Sequence, residues 1–117
     1  MDDVRIERIL RAAECIPTGF VATYGDLGAI CGENPRIVGA VMARWGSNVP
    51  WWRVCNAQGE IAGHFNQAHP HWQDEGLTLN KARTGANLTK HRVNRETLES
   101  AWQEAVADLE GAQQESR

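Results

Sequence analysis

Long apolar runs and paired cysteines are absent from this sequence. No segment of the 117 residues approaches the roughly 18 consecutive apolar residues that a membrane-spanning helix needs, so no membrane contact is expected. The N-terminal residues M-D-D-V-R-I-E-R are charged and lack the apolar core of a secretion signal. Cys15, Cys31 and Cys55 form neither a C-x-x-C pair nor an even set, which indicates reduced thiols. We therefore expect a cytoplasmic protein with one domain over residues 1–117.

Acidic residues are scarce in the middle of the chain, although the net charge is −3. Many of the acids lie near the C-terminus, namely Glu96, Glu99, Glu104, Asp108, Glu110 and Glu115. Residues 34–72 contain arginines and the single acid Glu60, and residues 81–95 are basic with no acid. The basic residues of these two segments are Arg36, Arg44, Arg53, Lys81, Arg83, Lys90, Arg92 and Arg95. Because local charge decides where a polyanion docks, the net charge does not exclude a nucleic acid partner. The basic segment 81–95 fits a DNA flank, a partner surface or a solvated loop.

Hydrophobic spacing predicts a mainly α fold with a small β element. Apolar residues recur at helical spacing over residues 3–15, and the segment 94–110 has the same pattern with its acids on the solvated side. The short apolar run at 20–22 is a candidate for the β element. Residues 64–76 are polar and aromatic with no clear period.

Two further helices are predicted from their capping residues. Thr23 and Asp26 have the spacing of a capping box, so a helix is expected from Tyr24 to residue 31. After a turn that contains glycine, Asn34 is the expected N-cap of the next helix, which continues to about Trp45. Two short helices joined in this way are typical of a helix-turn-helix.

The second helix of this pair is predicted to have two different faces. Its apolar face is formed by Val38, Val41, Met42 and Trp45, which we expect in the core. Its opposite face is formed by Arg36, Gly39, Ala40 and Ala43. A face with so few side chains permits close packing against another helix, and it equally permits close approach to a DNA groove.

A metal site is not expected. His64, His69 and His71 are close in sequence, but H-P-H is not a recurring zinc spacing and no cysteine or carboxylate completes a tetrahedral set. No cofactor is predicted.

Four motifs together indicate a family. The segments T-Y-G-D-L, N-P-R-I-V-G-A-V-M, V-P-W-W-R-V and G-E-I-A-G, within residues 3–65, resemble the DNA-binding domain of O6-alkylguanine-DNA alkyltransferases. The resemblance implies a winged-helix-like domain, with residues 80–117 adding a basic segment and a C-terminal helix. In that family the active-site motif is P-C-H-R-V, and its cysteine accepts the alkyl group. Here Trp51 stands in the cysteine's position and Trp52 in that of the histidine, as tryptophan does for the cysteine in the alkyltransferase-like proteins.

The resemblance implies a protein that binds O6-alkylguanine in double-stranded DNA through the minor groove and flips the damaged base into a pocket. An indole has no nucleophilic atom comparable to a thiolate, so no alkyl transfer to Trp51 is expected. The resemblance further implies that the protein is not an enzyme, that it flags the lesion for nucleotide excision repair, and that it is a monomer associated with the nucleoid.

The same resemblance assigns roles to individual residues. Arg36 is the expected arginine finger that fills the space of the flipped base, and Tyr24 is expected to press on the DNA backbone. The residues expected in the DNA groove are Gly39, Ala40 and Ala43. The expected lesion pocket consists of Tyr24, Trp51, Trp52, Val54 and Ile61. Asn48 and Arg53 are expected to order the loop.

Other interpretations fit some of these residues. Val54 and Ile61 are also plausible core residues, Trp52 also fits a role in bracing the loop, and Tyr24 also fits a half-buried helix cap. An active alkyltransferase that uses another thiol, such as Cys55, and a helix-turn-helix transcriptional regulator remain as alternative functions. Small side chains at 39, 40 and 43 offer no hydrogen bonds to base edges, which disfavours the regulator.

Overall fold

The computed structural model describes residues 1–109 and shows a mainly helical chain with one small sheet. Its helices are α1 (Asp3–Glu14), α2 (Tyr24–Cys31), α3 (Pro35–Trp45), α4 (Phe65–Asp74), α5 (Leu88–His91) and α6 (Arg95–Ala105). Two 3-10 turns, Gly46–Asn48 and Trp51–Arg53, follow α3. The strands β1 (Ala22–Thr23) and β2 (Val54–Cys55) pair in parallel. The predicted fold class is therefore confirmed, and no helix within residues 1–109 is long and apolar enough to cross a membrane.

Helix α2 begins and ends where its local sequence predicts. The Thr23 hydroxyl accepts a hydrogen bond from the Asp26 N–H at 3.0 Å, and the Asp26 carboxylate accepts one from the Thr23 N–H at 3.0 Å. This reciprocal capping box starts the helix, and Gly32, with φ of 73°, ends it in the left-handed conformation. A Cβ on Gly28 would lie 2.4 Å from the Glu33 carbonyl oxygen, so the turn between the two helices requires a glycine there.

Helix α3 also begins as predicted. The Asn34 side chain accepts a hydrogen bond from the Arg36 N–H at 2.8 Å, which satisfies one of the free donors at the helix start. Helices α2 and α3 pack on each other and on α1, as expected for a helix-turn-helix supported by a third helix. The predicted helix-turn-helix is therefore confirmed.

The main core lies between α1, α2, α3 and α6. Its fully buried side chains include Ile9, Leu27, Val38, Val41 and Leu98. Each buried aliphatic side chain contributes about 1.5–3 kcal/mol by leaving water. This core holds α3 by its apolar face, so the opposite face of the helix points outward.

Helix α4 is a feature that the sequence did not predict. Only Ala68 and Trp72 of this helix are buried, and Pro70 lies inside it. Its sequence therefore lacks the regular spacing of apolar residues that indicates a helix. The helix is held from outside, because the Trp72 indole N–H donates to the Trp52 carbonyl oxygen at 2.7 Å. Tertiary contacts therefore override a weak local signal.

Two predicted helices differ in detail from the structure. The closing helix, predicted over 94–110, begins at Arg95 after its N-cap Asn94 and runs to Ala105, and after a turn at Val106 residues 107–109 are again helical. Residue 110 lies outside the described part of the chain. Trp45 is not a core residue but is 38% exposed. It is the last residue of α3, where the chain turns away, and the Arg44 guanidinium lies 5.0 Å from its ring centroid.

Candidate functional site: a cavity beside the bare face of α3

A cavity of about 340 Å³ lies between α2, α3, the 51–53 turn and the loop that leads into α4. Its lining residues are Tyr24, Gly39, Met42, Ala43, Gly46, Ser47, Trp51, Val54, Ile61, Ala62, His64 and Gln67. The volume is within the range of about 300–1,000 Å³ that is typical of pockets for small molecules. The space exists partly because two of the three α3 residues that line it, Gly39 and Ala43, have little or no side chain.

The bare face of α3 (Arg36, Gly39, Ala40 and Ala43) is not packed against another helix. Arg36, Ala40 and Ala43 are exposed, and a Cβ built on Gly39 meets no atom within 4 Å. Within the described residues this excludes the helix-packing interpretation of the small residues. The guanidinium of Arg36 has no ion-pair or hydrogen-bond partner among residues 1–109. The positive charge of Arg36 is therefore not neutralised by another described residue, and it lies at the N-terminal end of an exposed helix face.

Trp51 forms one wall of the cavity. Its ring is half-buried and touches three other rings edge-on, with centroid distances of 5.9 Å to Trp52, 6.2 Å to His64 and 5.9 Å to His71. It also packs against both apolar clusters of the protein. These contacts fix the position of the indole beside the cavity.

Trp52 does not line the cavity, which corrects the predicted pocket. Its ring stacks on His71, with centroids 3.8 Å apart and planes 8° apart. Its indole N–H donates to the Glu75 carboxylate at 2.6 Å. The side chain is thus turned towards α4, in agreement with the alternative in which Trp52 braces the loop.

Arg53 and Glu75 form the main polar anchor of this loop. The Arg53 guanidinium donates to the Glu75 carboxylate at 2.8 Å, to the Ile16 carbonyl oxygen at 2.9 Å and to the Thr18 hydroxyl at 3.0 Å. Burial alone would raise the pKa of Glu75, but hydrogen bonds from Arg53, Trp52 and the Gly19 N–H more than offset it and hold the pKa below its usual value. Glu75 is therefore an ionised anchor that sequence reasoning missed, because it lies in a segment without a recognisable pattern.

Asn48 lies apart from this anchor and from the cavity. It is exposed at the end of the first 3-10 turn, and its side chain has no hydrogen-bond partner among residues 1–109. Its expected role in ordering the loop has no support from contacts within the described part of the chain.

Tyr24 and Val54 occupy the side of the cavity next to the sheet. Tyr24 is the first residue of α2 and follows Thr23, which pairs with Cys55 across the sheet. Burial raises the pKa of the Tyr24 hydroxyl, and the neighbouring Cys55 raises it further, so the phenol is neutral at physiological pH. Val54 is almost fully buried and serves both as core and as cavity wall.

None of the three cysteines lines the cavity. Cys55 is buried and its thiol lies 3.6 Å from the Ala22 carbonyl oxygen, and burial raises its pKa to about 12. Burial likewise raises the pKa of Cys31 to about 12, and that of Cys15 is raised for the same reason. A thiol is a poor nucleophile when its pKa is this high, since the thiolate is the reactive form.

Asp26 is a second anchor that sequence reasoning missed. Besides capping α2, its buried carboxylate accepts hydrogen bonds from Arg92 at 2.7 Å and from Arg95 at 2.8 Å. Burial alone would raise its pKa, but hydrogen bonds from Arg92, the Thr23 N–H and Arg95 hold the pKa well below its usual value. Part of the basic segment 81–95 is therefore neutralised internally and ties the C-terminal helix to α2.

The histidines are dispersed over different partners. His64 faces Trp51, His69 stacks on Phe65 and His71 stacks on Trp52. Within residues 1–109 no group of three His, Cys, Asp or Glu side chains is arranged to hold a metal ion.

Comparisons with known proteins agree with this geometry. The model of the family described as 6-O-methylguanine DNA methyltransferase, DNA binding domain, matches residues 5–82. A protein of Escherichia coli (strain K12) named DNA base-flipping protein is 41% identical over 60 residues, which are 48% of this chain and 46% of that protein. A protein of the same name from Vibrio parahaemolyticus (serotype O3:K6, strain AQ3810) is 36% identical over 64 residues, which are 51% of this chain and 64% of that protein. The matched region thus spans about half the length of the first relative and less than two-thirds of the second.

A solved structure supports the same assignment. The crystal structure of S. pombe Atl1 in complex with damaged DNA containing O6-carboxymethylguanine is similar with a TM-score of 0.68 and 25% sequence identity. The similarity covers 80% of this chain and 98% of the Atl1 chain. The family model spans more than half of the sequence, and the fold agrees with Atl1 over most of its length. The chain therefore belongs to the family of the 6-O-methylguanine DNA methyltransferase DNA-binding domain and is an alkyltransferase-like member of it.

Proposed function

We propose that this protein binds duplex DNA at O6-alkylguanine, rotates the damaged base into the cavity beside Trp51 and holds it there without transferring the alkyl group. The observation that carries the proposal is the continuity of two surfaces. Gly39 and Ala43 belong both to the exposed bare face of α3 and to the wall of the cavity. If α3 lies with this face in the minor groove of a duplex, the cavity is directly beside the DNA bases.

The energetics of the cavity suit a flipped, alkylated base. Unstacking a base costs a few kcal/mol, and stacking on an aromatic ring recovers roughly 1–3 kcal/mol. Burying the alkyl carbons adds about 0.8 kcal/mol for each CH₂. Trp51, Val54 and Ile61 provide the apolar surface for both contributions. An alkylated guanine therefore gains more binding free energy in the cavity than an undamaged guanine does.

Arg36 is proposed to fill the space that the flipped base leaves in the stack. It lies in the first turn of α3, is exposed and has no described partner that would hold it on the protein. An inserted side chain of this kind stabilises the bent, unstacked duplex. Arg44 lies two turns further along the same helix and is also exposed, but its guanidinium lies over the Trp45 ring.

The absence of alkyl transfer is proposed on chemical grounds. The position beside the cavity where the family motif has a cysteine is occupied by an indole, which cannot displace an alkyl group. The three thiols are outside the cavity and their pKa values are raised by burial. We propose that the lesion remains in the DNA and that the flipped complex is passed to nucleotide excision repair in the cytoplasm.

Base flipping is tested with a fluorescent cytosine analogue placed opposite O6-methylguanine in a duplex. We expect its fluorescence to rise when wild-type protein binds, because the analogue loses its pairing partner and is held less tightly in the stack. The Arg36→Ala variant should bind with little fluorescence change, whereas Arg44→Ala, which removes an equal charge from the same helix, should weaken binding but keep the change. Equal fluorescence responses in both variants would overturn the role of Arg36, and no response with wild-type protein would overturn flipping.

The absence of chemistry is tested by the intact mass of the protein after incubation with the methylated duplex. The mass should be unchanged, and a gain of one methyl group on any residue would contradict the proposal.

The transfer of the lesion to nucleotide excision repair is tested in a reconstituted excision reaction, in which wild-type protein should increase incision at O6-alkylguanine and Trp51→Ala should not.

A further inference from the structure

The segment Asn80–Gly85, here called the basic loop, is a short closed turn that the proposed function does not use. It is enclosed by an antiparallel bridge between Leu79 and Ala86, and the Asn80 N–H donates to the Gly85 carbonyl oxygen at 2.8 Å. The side-chain oxygen of Asn80 accepts a hydrogen bond from the Thr84 N–H at 2.9 Å. These bonds hold the two ends of the loop together and fix the path of the residues between them.

The basic loop is also fixed to the segment that leads into the cavity. The side-chain amide of Asn80 donates to the Gln58 carbonyl oxygen at 3.0 Å, and the Ala86 N–H donates to the Gly59 carbonyl oxygen at 2.9 Å. The two backbones are so close that a Cβ on Gly59 would lie 2.1 Å from the Ala86 carbonyl oxygen. Ile61, which follows shortly after Gly59, lines the cavity. The loop is therefore held beside the proposed lesion pocket.

Arg83 has an unusual backbone conformation within the basic loop. Its φ is 60°, and in residues 1–109 it is the one non-glycine residue with a positive φ. This left-handed conformation is costly for a residue with a Cβ, whereas glycine adopts it freely. The Arg83 side chain is exposed and has no ion-pair or hydrogen-bond partner in the described part of the chain, so no such bond within the protein offsets the cost. Strain of this kind is concentrated at functional sites.

The basic loop has an excess of positive charge. Lys81 is exposed like Arg83, and its side chain likewise has no hydrogen-bond or ion-pair partner among residues 1–109. The acid bonded to the loop is Glu60, whose carboxylate accepts a hydrogen bond from the Thr84 hydroxyl at 2.6 Å. Two cations and this one carboxylate leave a net charge of +1. A fixed loop of positive charge next to a DNA-binding cavity is suited to a phosphate group.

We propose that the basic loop is a second DNA-binding element, in which Arg83 and Lys81 contact backbone phosphates to one side of the damaged base. This role rests on the proposed function, because the loop is fixed next to the cavity that receives the base. A duplex carries one phosphate charge for about every 1.7 Å of its axis, so several phosphates flank a base at the cavity. Phosphate contacts position a protein on DNA but carry no base information. The loop should therefore strengthen binding to damaged and undamaged duplex equally.

Arg83→Gly removes the cation while keeping the backbone conformation, because glycine accepts a φ of 60° without strain. Its affinity for a duplex with O6-methylguanine, and for the same duplex with guanine, is measured over a range of salt concentrations. Each phosphate contact contributes about 0.9 to the slope of log K against log salt concentration. We expect the slope to become shallower by about 0.9 in Arg83→Gly and by about 1.8 when Lys81→Gln is added. The ratio of the two affinities should stay as in wild type.

Arg11→Gln is the matched control, because it changes the net charge by the same amount. Arg11 is bound to Asp108 and to the Ala105 carbonyl oxygen, away from the basic loop, so its slope should follow wild type. An unchanged slope in Arg83→Gly and in the double variant would overturn the inference. If these variants then reduced incision in the reconstituted excision reaction, the loop would be a surface for a repair protein instead of DNA.

A changed lesion-to-guanine ratio in Arg83→Gly would also overturn the inference, because the loop would then act on the cavity and not on the phosphates. Failure of the proposed function has a different signature. Wild-type protein would bind the two duplexes equally, whatever the slope of Arg83→Gly.

Discussion

Trp51 and Trp52 are neighbours in the chain with different surroundings. Trp51 lines the cavity, and Trp52 is bound to α4 through Glu75 and His71. The family motif predicts the first of these positions, because it aligns Trp51 with a residue that faces the reacting base. The motif does not predict the second, because Glu75 is 23 residues away and no local pattern connects the two.

Glu75 should be the most sensitive of the residues that hold this loop. Replacing Glu75 by Gln removes the negative charge that accepts hydrogen bonds from Arg53 and Trp52. The Glu75 side chain is only 9% exposed, so water compensates little for the lost charge. We expect Glu75→Gln to lower the free energy of unfolding by about 2–3 kcal/mol, since it leaves the largely buried Arg53 guanidinium without its anionic partner. Urea denaturation followed by tryptophan fluorescence measures this change.

The control for Glu75→Gln is Asp74→Asn. Asp74 is the adjacent residue and is exposed, so its substitution should change stability by no more than about 0.5 kcal/mol. Equal effects of the two substitutions would mean that the anchor does not stabilise the loop.

At the scale of elements, helices α2 and α3 are predictable and α4 is not. The starts of α2 and α3 are set by side chains within three residues of the cap, as in the Thr23–Asp26 box. Helix α4 has only two buried residues and an internal proline, so its position depends on contacts with the 51–53 turn. The exposure of Trp45 could not be predicted from the sequence either. Helical spacing places Trp45 on the apolar face of α3, but it does not show that this end of the helix extends beyond the core.

Gly39 provides a test of the bare face as an element. A Cβ at this position meets no atom within 4 Å, and alanine favours a helix interior over glycine by about 0.5–1 kcal/mol. We therefore expect Gly39→Ala to unfold at higher urea concentration than wild type but to bind damaged duplex more weakly, because the methyl group enters the space for DNA. Undiminished affinity would contradict the proposed docking face.

Gly28→Ala is the matched glycine variant for the same pair of helices. Its Cβ would meet the Glu33 carbonyl oxygen at 2.4 Å, so this substitution should lower the stability measured in the same urea titration.

Asp26 should make the attachment of the C-terminal helix sensitive to acid. Its pKa is lower in the folded than in the unfolded chain, so its stabilising contribution is present above the unfolded value near 3.8 and is lost as the pH falls towards the folded value. We expect Asp26→Asn to lower the free energy of unfolding by about 2–3 kcal/mol at pH 7 and by less at pH 3.

Urea titrations of wild type and Asp26→Asn at pH 7 and pH 3 measure this difference. Asp108→Asn is the control, because Asp108 pairs with Arg11 on the exposed surface, and it should have little effect. A difference between wild type and Asp26→Asn that is the same at both pH values would rule out the proposed titration.

At the scale of the whole molecule, the cavity lies where two apolar clusters meet. One cluster joins α1, α2, α3 and α6, the other surrounds α4, and Trp51 packs against both. Local sequence patterns define the helices of the first cluster, but the meeting of the two clusters depends on contacts between distant parts of the chain. The net charge of −3 likewise does not show that Arg36 is exposed beside the cavity while Arg92 and Arg95 are paired with Asp26.

The central claim is that Trp51 holds a damaged base that has left the duplex. The most direct test is the ratio of affinities for a duplex with O6-methylguanine and the same duplex with guanine, measured for wild type, Trp51→Ala and Trp45→Ala. We expect a high ratio for wild type and for Trp45→Ala, whose exposed indole lies outside the cavity. For Trp51→Ala we expect a ratio lower by roughly 5- to 100-fold, which corresponds to the loss of about 1–3 kcal/mol of stacking. A ratio that Trp51→Ala leaves unchanged would contradict the central claim.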